Sequence, residues 1–263
     1  MKCTINSWKK EEFVVSFSTE LPAQSMYHKR FWIQLRAMSI LGLMEISFGD
    51  LLLDIMAIPH YGGLLRELSD THWIGYLSTT GVYGDTGGAL VDETAPLNPS
   101  NDRSHWRAAA EKSWLEISAH VFRLAGIYGP DRSSLSRLKS DLKKRIDYPG
   151  HLFSRIHVDD IAQTILASLN HPNPGQIYNL SDDEPVEQQV VEAYAASLLG
   201  IDPPPLVAFN EAVKDMSPIA QTFWQDNRRI DNSKIKNEFG IKLIYPSYRE
   251  GLKAIHQSTE NTG

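Results

Sequence analysis

The stretch whose reading decides the fold is Trp73-Ile-Gly-Tyr-Leu-Ser-Thr-Thr-Gly-Val-Tyr-Gly-Asp85. It is apolar as far as Leu77, turns to hydroxyls at Ser78, Thr79 and Thr80, and closes on Gly81-Val-Tyr-Gly84. A short apolar run that ends in hydroxyls and glycines reads as a buried strand opening into a loop where small side chains let a ligand come close. In open α/β sheets ligands bind at that carboxyl edge. Taken alone, the stretch describes an ordinary strand and glycine turn equally well, because hydroxyl-plus-glycine loops are common turn chemistry.

Outward from this stretch, strand and helix patterns alternate. Before it, Leu51–Ile58 reads as a buried strand stopped by Pro59 and turned by Gly62 and Gly63, and Leu64–Ser69 as a short helix. After it, the turn-rich loop Asp85–Arg103 leads to a helix over Arg103–Ile117 and a strand over His120–Ala125. A basic amphipathic helix follows over Ser133–Arg145, then a strand over Phe153–Val158. Asp159 and Asp160 stand at the start of a helix over Ile161–Leu169, where acids suit the positive end of the helix dipole. A strand over Gln176–Leu180 and a helix over Val186–Leu199 complete the alternation. From Val207 onward short helices (Ser217–Trp224, Asn232–Phe239, Ser247–Ile255) separated by Pro and Gly turns suggest a lobe packed on the sheet. Near the N-terminus, Phe13–Ser18 reads as a strand and Phe31–Leu43 as a helix; the lone Gly42 there earns no phosphate role. This order argues an α/β fold: a Rossmann-like, doubly wound parallel sheet with a small, mainly helical C-terminal lobe. The expected division is a divergent N-terminal segment 1–50, a core 51–200 and a lobe 201–263 that completes the same domain.

Composition sets the outer bounds. The chain has 263 residues, 42% hydrophobic and 22% charged, which is ordinary for a soluble globular protein. Its net charge of −6 comes without any Lys/Arg run, which argues against nucleic acid as a partner. The apolar run Ala37–Pro59 carries Glu45, Asp50 and Asp54, and carboxylates at bilayer depth are costly, so no membrane span is expected. No signal-peptide pattern follows the N-terminal charges, which fits a cytoplasmic or organelle-stromal location, for example plastid. One cysteine and nine scattered histidines without HxxxH or HExxH spacing give no reason to expect a metal.

Several stretches together resemble one family, the extended short-chain dehydrogenase/reductases or NAD-dependent epimerase/dehydratases, and among them the atypical members. They are Ser78–Gly84, Phe122-Arg-Leu-Ala-Gly-Ile-Tyr-Gly-Pro130, Arg155-Ile-His-Val-Asp-Asp-Ile-Ala162, Ile177–Asp183, Arg229–Ile235 and Leu243–Tyr248. The resemblance covers Leu51 to Ile255 and implies NAD or NADP as cofactor and a small, nucleotide-sugar-like ligand; a homodimer is compatible with it. It places Thr79 where the family's hydroxyl polarises the reacting oxygen. It places Ala57, Pro59, Ser78 and Gly126 along the cofactor. Arg155 and Arg228 fall where they could face a phosphate or acid of the substrate, with surface pairing as the even alternative. His157 and Asp159 read as a helix cap, and Arg123 as a loop anchor.

The resemblance breaks in two places. In the family a Tyr-x-x-x-Lys pair on the next helix moves the proton, the Lys lowering the Tyr pKa toward neutrality. Counting back from Glu111, which matches the family's helix acid, puts Arg103 at the Tyr position and Arg107 at the Lys position. Arginine stays protonated and cannot cycle a proton near pH 7, although Arg103 and Arg107 could bind an anion, or Arg107 could hold a cofactor ribose. His105 lies between them but, two residues from each, points elsewhere on a helix. The second break is at the front: no glycine-rich diphosphate loop is found. About fifty residues before Leu51 hardly hold the family's first strands at ~30 residues per βαβ unit. A divergent or truncated N-terminal part, or an altered reading frame, is therefore expected. Two functions stay open: an NAD(P)-binding, epimerase/dehydratase-like protein of reduced or no activity, or a non-catalytic ligand- or partner-binding scaffold.

Overall fold

A computed structural model of the chain describes residues 14–17, 73–140 and 142–260. The expected helices Phe31–Leu43 and Leu64–Ser69, the strand Leu51–Ile58 and the cofactor positions Ala57 and Pro59 lie outside the described residues.

Among the described residues the central sheet is four-stranded and parallel, in the order β1 (Val14–Phe17), β2 (Ile74–Thr79), β4 (His120–Leu124), β8 (Ile177–Leu180). Alternation along β2 and β4 assigns the two faces. Ile74, Tyr76 and Val121 face helix α1 (Asp102–Glu116) and pack on Ala110 and Trp114. Leu77, Phe122 and Leu124 face the other way and pack on Ile161 and Ile165 of α3 (Val158–Asn170) and on Ile235 of α7 (Ser233–Phe239). Helices on both faces of a parallel sheet make the fold the doubly wound α/β class expected of the sequence. Helix α3 begins at Val158, three residues before the expected Ile161, because the His157 imidazole accepts from the Asp159 N–H at 3.1 Å and caps it, as its reading as a cap implies.

Around this core lie three two-stranded ladders and the lobe. β5 (Gly126–Tyr128) pairs with β7 (Arg155–His157), and β3 (Leu90–Val91) with β10 (Arg229–Ile230). β6 (Arg145–Asp147) pairs with β9 (Leu206–Ala208). This last pairing corrects the expected helix over Ser133–Arg145. Helix α2 spans only Ser134–Ser140, because the backbone N–H of Arg145 donates to the Pro205 carbonyl at 2.9 Å and its guanidinium to the Pro204 carbonyl at 2.7 Å. The remaining helices are α4 (Gln188–Leu198), α5 (Phe209–Ala212), α6 (Pro218–Thr222) and α8 (Tyr248–Glu260). Buried Asp160 ties the lobe to the core: its carboxylate accepts the N–H groups of Ile244 at 2.6 Å and Tyr245 at 3.1 Å.

The outer edge of β8 is closed by side chains. Glu93 accepts the Asn179 N–H at 2.7 Å, and Lys234 donates to the Ile177 carbonyl at 2.9 Å while lying over the Tyr178 ring. At the start of β4, His120 is fully satisfied as a neutral ring. Its Nδ1 bonds the Ile74 carbonyl at 3.0 Å, and its Nε2 accepts the Asn173 N–H at 2.9 Å. Burial holds its pKa below the ordinary value. The unfolded chain therefore takes up a proton that the folded one refuses, and stability falls as pH drops below about 6.5. Thermal melts from pH 7.5 to 5 should show this fall, and His120→Asn should show less of it.

Candidate active site

Three polar side chains lie in one line across the carboxyl half of the sheet. Ser78 on β2, Arg123 on β4 and Asn179 on β8 are register partners on the α1 face. Glu111 reaches them from α1. The Ser78 hydroxyl donates to Glu111 at 2.5 Å, and Arg123 donates to both Glu111 oxygens, the shortest bond being 2.7 Å. Arg123 also donates to the Tyr83 hydroxyl at 2.9 Å, and that hydroxyl donates to Asn179 Oδ1 at 2.7 Å. Every member is buried. Burial raises the Tyr83 pKa above its ordinary value despite the pull of Arg123, so this phenol keeps its proton at neutral pH.

The network fixes the end of β2. There the chain turns through the 3₁₀ segment Thr80–Tyr83, with Thr79 Oγ1 accepting the Gly81 N–H at 3.1 Å. Gly84 closes the turn at φ 66°, and a Cβ there would stand 1.8 Å from the Asn98 carbonyl oxygen, so only glycine fits. Thr79 is thus held at the carboxyl edge with a hydroxyl proton still to offer. Ser78, expected along the cofactor, spends its hydroxyl on Glu111.

The two arginines of α1 diverge. Arg107 is half-buried and turns down onto β2, donating to the Leu77 carbonyl at 3.1 Å and to the Tyr76 hydroxyl at 3.4 Å. Arg103 is exposed and reaches the lobe, its guanidinium 5.9 Å from the Phe223 ring centre. His105 is exposed beside it. Trp114 stacks on Tyr76, whereas Trp106 is 52% exposed. Eight residues overshoot two helical turns by about 80°, so the pair does not share a face.

The remaining positions lie along the ladder between core and lobe. Gly126 and Arg155 are register partners in β5 and β7. Arg155 is buried, and its guanidinium binds the carbonyls of Phe153 at 2.7 Å and Val186 at 3.1 Å and the Gln188 side chain at 2.8 Å. Burial holds its pKa down to about 10. Arg228 pairs with Asp226 at 2.9 Å and donates to the Gly84 carbonyl at 3.1 Å, which joins the lobe to the Tyr83–Gly84 turn. A shallow hollow of about 450 Å³ opens elsewhere, beside α1, between Leu97, Leu115 and Ile177 and above the Glu111–Arg123 pair. Among the described residues no cluster of three metal-binding side chains occurs, and no helix is long and apolar enough to cross a membrane.

Sequence reasoning matched Glu111 to a family position but found it no partner, and it read Arg123 as a loop anchor. Arg123 does hold the turn after β2 through Tyr83 and reaches the Glu93 carbonyl at 3.5 Å, and it is in addition the centre of the buried network. No local signal could have paired Glu111 and Arg123, since the contacts join a helix, three strands and a turn.

No family model matches the chain. A conserved protein of unknown function from Silicibacter pomeroyi is 48% identical in sequence, with a TM-score of 0.72 over 76% of this chain and 73% of that one. Protein YeeZ of Escherichia coli K12 is 30% identical over 175 residues, so the chain is matched over 65% of its length and spans only 58% of that relative. Human dTDP-D-glucose 4,6-dehydratase is 30% identical over 132 residues, 44% of this chain and 37% of the dehydratase. The Bacillus anthracis dTDP-glucose 4,6-dehydratase, solved in complex with NAD, shares the fold at 22% identity, with a TM-score of 0.62 over 76% of this chain and 65% of that one.

The buried network predicts unequal costs. Glu111→Gln leaves Arg123 without its counter-charge and should cost about 3–5 kcal/mol. Ser78→Ala removes one bond and should cost about 1–3 kcal/mol. Urea unfolding of the two variants should rank them in that order.

Proposed function

We propose that this chain binds NAD or NADP and a small nucleotide-sugar-like ligand but has little or no proton-transfer chemistry of the Tyr/Lys type. It belongs to one family with the conserved Silicibacter pomeroyi protein and is related in fold and sequence to the NAD-dependent epimerase/dehydratase proteins. The observation that carries the proposal is Arg107. At the position of the proton-relay lysine stands a guanidinium bonded to the carbonyl of Leu77, on the strand that ends in Thr79. Such a group stays charged and holds neighbours in place; it neither tunes a phenol nor passes a proton on.

In this reading Thr79 donates its hydroxyl to an oxygen of the ligand, and Gly126 borders the cofactor without a side chain to obstruct it. Arg103, exposed at the first turn of α1, attracts an anionic group of the ligand, and Arg228 does the same from the lobe side. Arg155 and Ser78 act as framework, since their polar atoms are already engaged. When bound, the cofactor would supply hydride exchange. Neither Arg103 nor Arg107 can serve as the acid/base partner for that exchange, which groups the chain with the atypical members of the family and favours ligand binding over turnover.

The experiment is titration of the purified full chain with NAD(H) and NADP(H), read by calorimetry and nicotinamide fluorescence. Saturable binding in the micromolar range is expected, weakened at least several-fold in Gly126→Leu. Absence of binding up to millimolar cofactor, in protein shown to be folded, would sink the cofactor part of the reading. Arg103→Tyr/Arg107→Lys should gain oxidoreductase turnover on a nucleotide sugar over the parent chain.

A further inference from the structure

Beneath α8, where β5, β7 and the loop after β8 meet, lies a buried polar cluster that the candidate site does not use. Asp182 stands in it at 1% exposure. Its Oδ2 has no hydrogen-bond partner, and Oδ1 accepts only a long bond of 3.4 Å from the Glu184 N–H. Arg155 is its immediate neighbour, for the Asp182 N–H donates to the Arg155 carbonyl at 2.5 Å. The guanidinium nevertheless makes its bonds to Phe153, Val186 and Gln188.

A buried carboxylate with one free oxygen would draw in the nearest cation, because a charge-assisted bond is roughly twice as strong as a neutral one and an unpaired buried charge is costly. A protonated carboxyl has no such pull. The other groups facing this pair supply no second cation. Tyr128 faces it from β5, Glu192 from α4 and Tyr248 from α8. Asp183, on the same loop, is bound to Lys236 and Asn232. His157, edge-on to Tyr128 at 5.0 Å, is kept neutral by burial down to about pH 4.

We infer that Asp182 is a proton-gated latch between sheet and lobe: protonated, it leaves Arg155 clasping the Phe153–Val186 crossing; ionised, it takes the guanidinium and loosens that crossing. The crossing is a backbone bridge with bonds of 3.0 and 3.2 Å, and its two carbonyls are the ones Arg155 also binds. Phe153 passes any loosening to the lobe, because its ring meets Trp224 edge-on at 5.0 Å and His151 at 4.8 Å. On ionisation the Asp182 proton goes to solvent, and no other co-reactant is involved. Burial pushes the Asp182 carboxyl up to about 8, against the pull of Arg155. For an acid whose folded pKa is raised, stability declines as pH climbs from about 4 and levels off above the folded value.

The test is a titration of the full chain from pH 6 to 9.5. Aspartate side-chain carboxyls labelled with carbon-13 should include one resonance still protonated at pH 7. That resonance should titrate with the same midpoint as a change in Trp224 emission, taken as the difference from Trp224→Phe. Asp182→Asn should abolish both. Arg155→Lys should keep the late carboxyl titration and lose the emission change, since an ammonium cannot clasp two carbonyls and Gln188 together. Titration of every aspartate below pH 6 in the unaltered chain overturns the latch whether or not the variants fold. Persistence of the late titration in Asp182→Asn overturns it as well.

Discussion

The fold turns on the buried contact between Glu111 and Arg123, whose side chains are 2% and 3% exposed. An ion pair taken out of water repays its desolvation only when the geometry is close and the remaining lone pairs and protons find partners. Here they do. Glu111 receives Ser78 as well as Arg123, and Arg123 goes on to Tyr83, which reaches Asn179. The chain of contacts crosses α1, three strands and the turn after β2. It also fixes register. Ser78, Arg123 and Asn179 line up on one face only in the observed pairing, and a slip of one residue would send a whole strand's polar and apolar side chains to opposite faces.

That constraint separates the parts of the protein that must be rigid from those free to vary in chemistry. Thr79 and Gly84 are held within a few residues of the network, so the carboxyl edge keeps its shape whatever stands on the helix above it. Arg103 and Arg107 stand on that helix on the solvent and strand sides of the fixed point. A scaffold built this way keeps its strand ends in place through backbone contacts, Arg107 among them, whose guanidinium bonds the Leu77 carbonyl.

Much of this was legible from residues near one another in the chain. The run into Ser78-Thr79-Thr80 and the glycines after it specify a strand and tight turn through local sterics. The acids after His157 mark a helix start, and the structure sets that helix one residue beyond the imidazole that caps it. What stayed hidden depends on distant partners. Arg145 leaves the helical pattern because prolines some sixty residues later receive its N–H and guanidinium. Arg123 looks like any arginine at a strand end until Glu111 and Tyr83 are brought beside it. Arg155 sits in a family motif, yet the carbonyls that occupy it belong to Phe153, two residues away, and Val186, on the far side of α3 and β8.

The closed edge of β8 has a bearing on how this molecule meets others of its kind. The last strand of an open sheet presents unpaired N–H and C=O groups, and left uncovered it is a template for a foreign chain. Here Glu93 and Lys234 occupy one N–H and one C=O of that strand with opposite charges. A passing strand would have to displace both, forfeiting two charge-assisted bonds worth about 1.5–3 kcal/mol each before gaining its own. Such an edge resists templated aggregation without a Pro or a bulge, and it does so with one residue from a loop and one from a helix. Anything that loosens the lobe helix bearing Lys234 therefore removes a guard against self-association together with a piece of the fold.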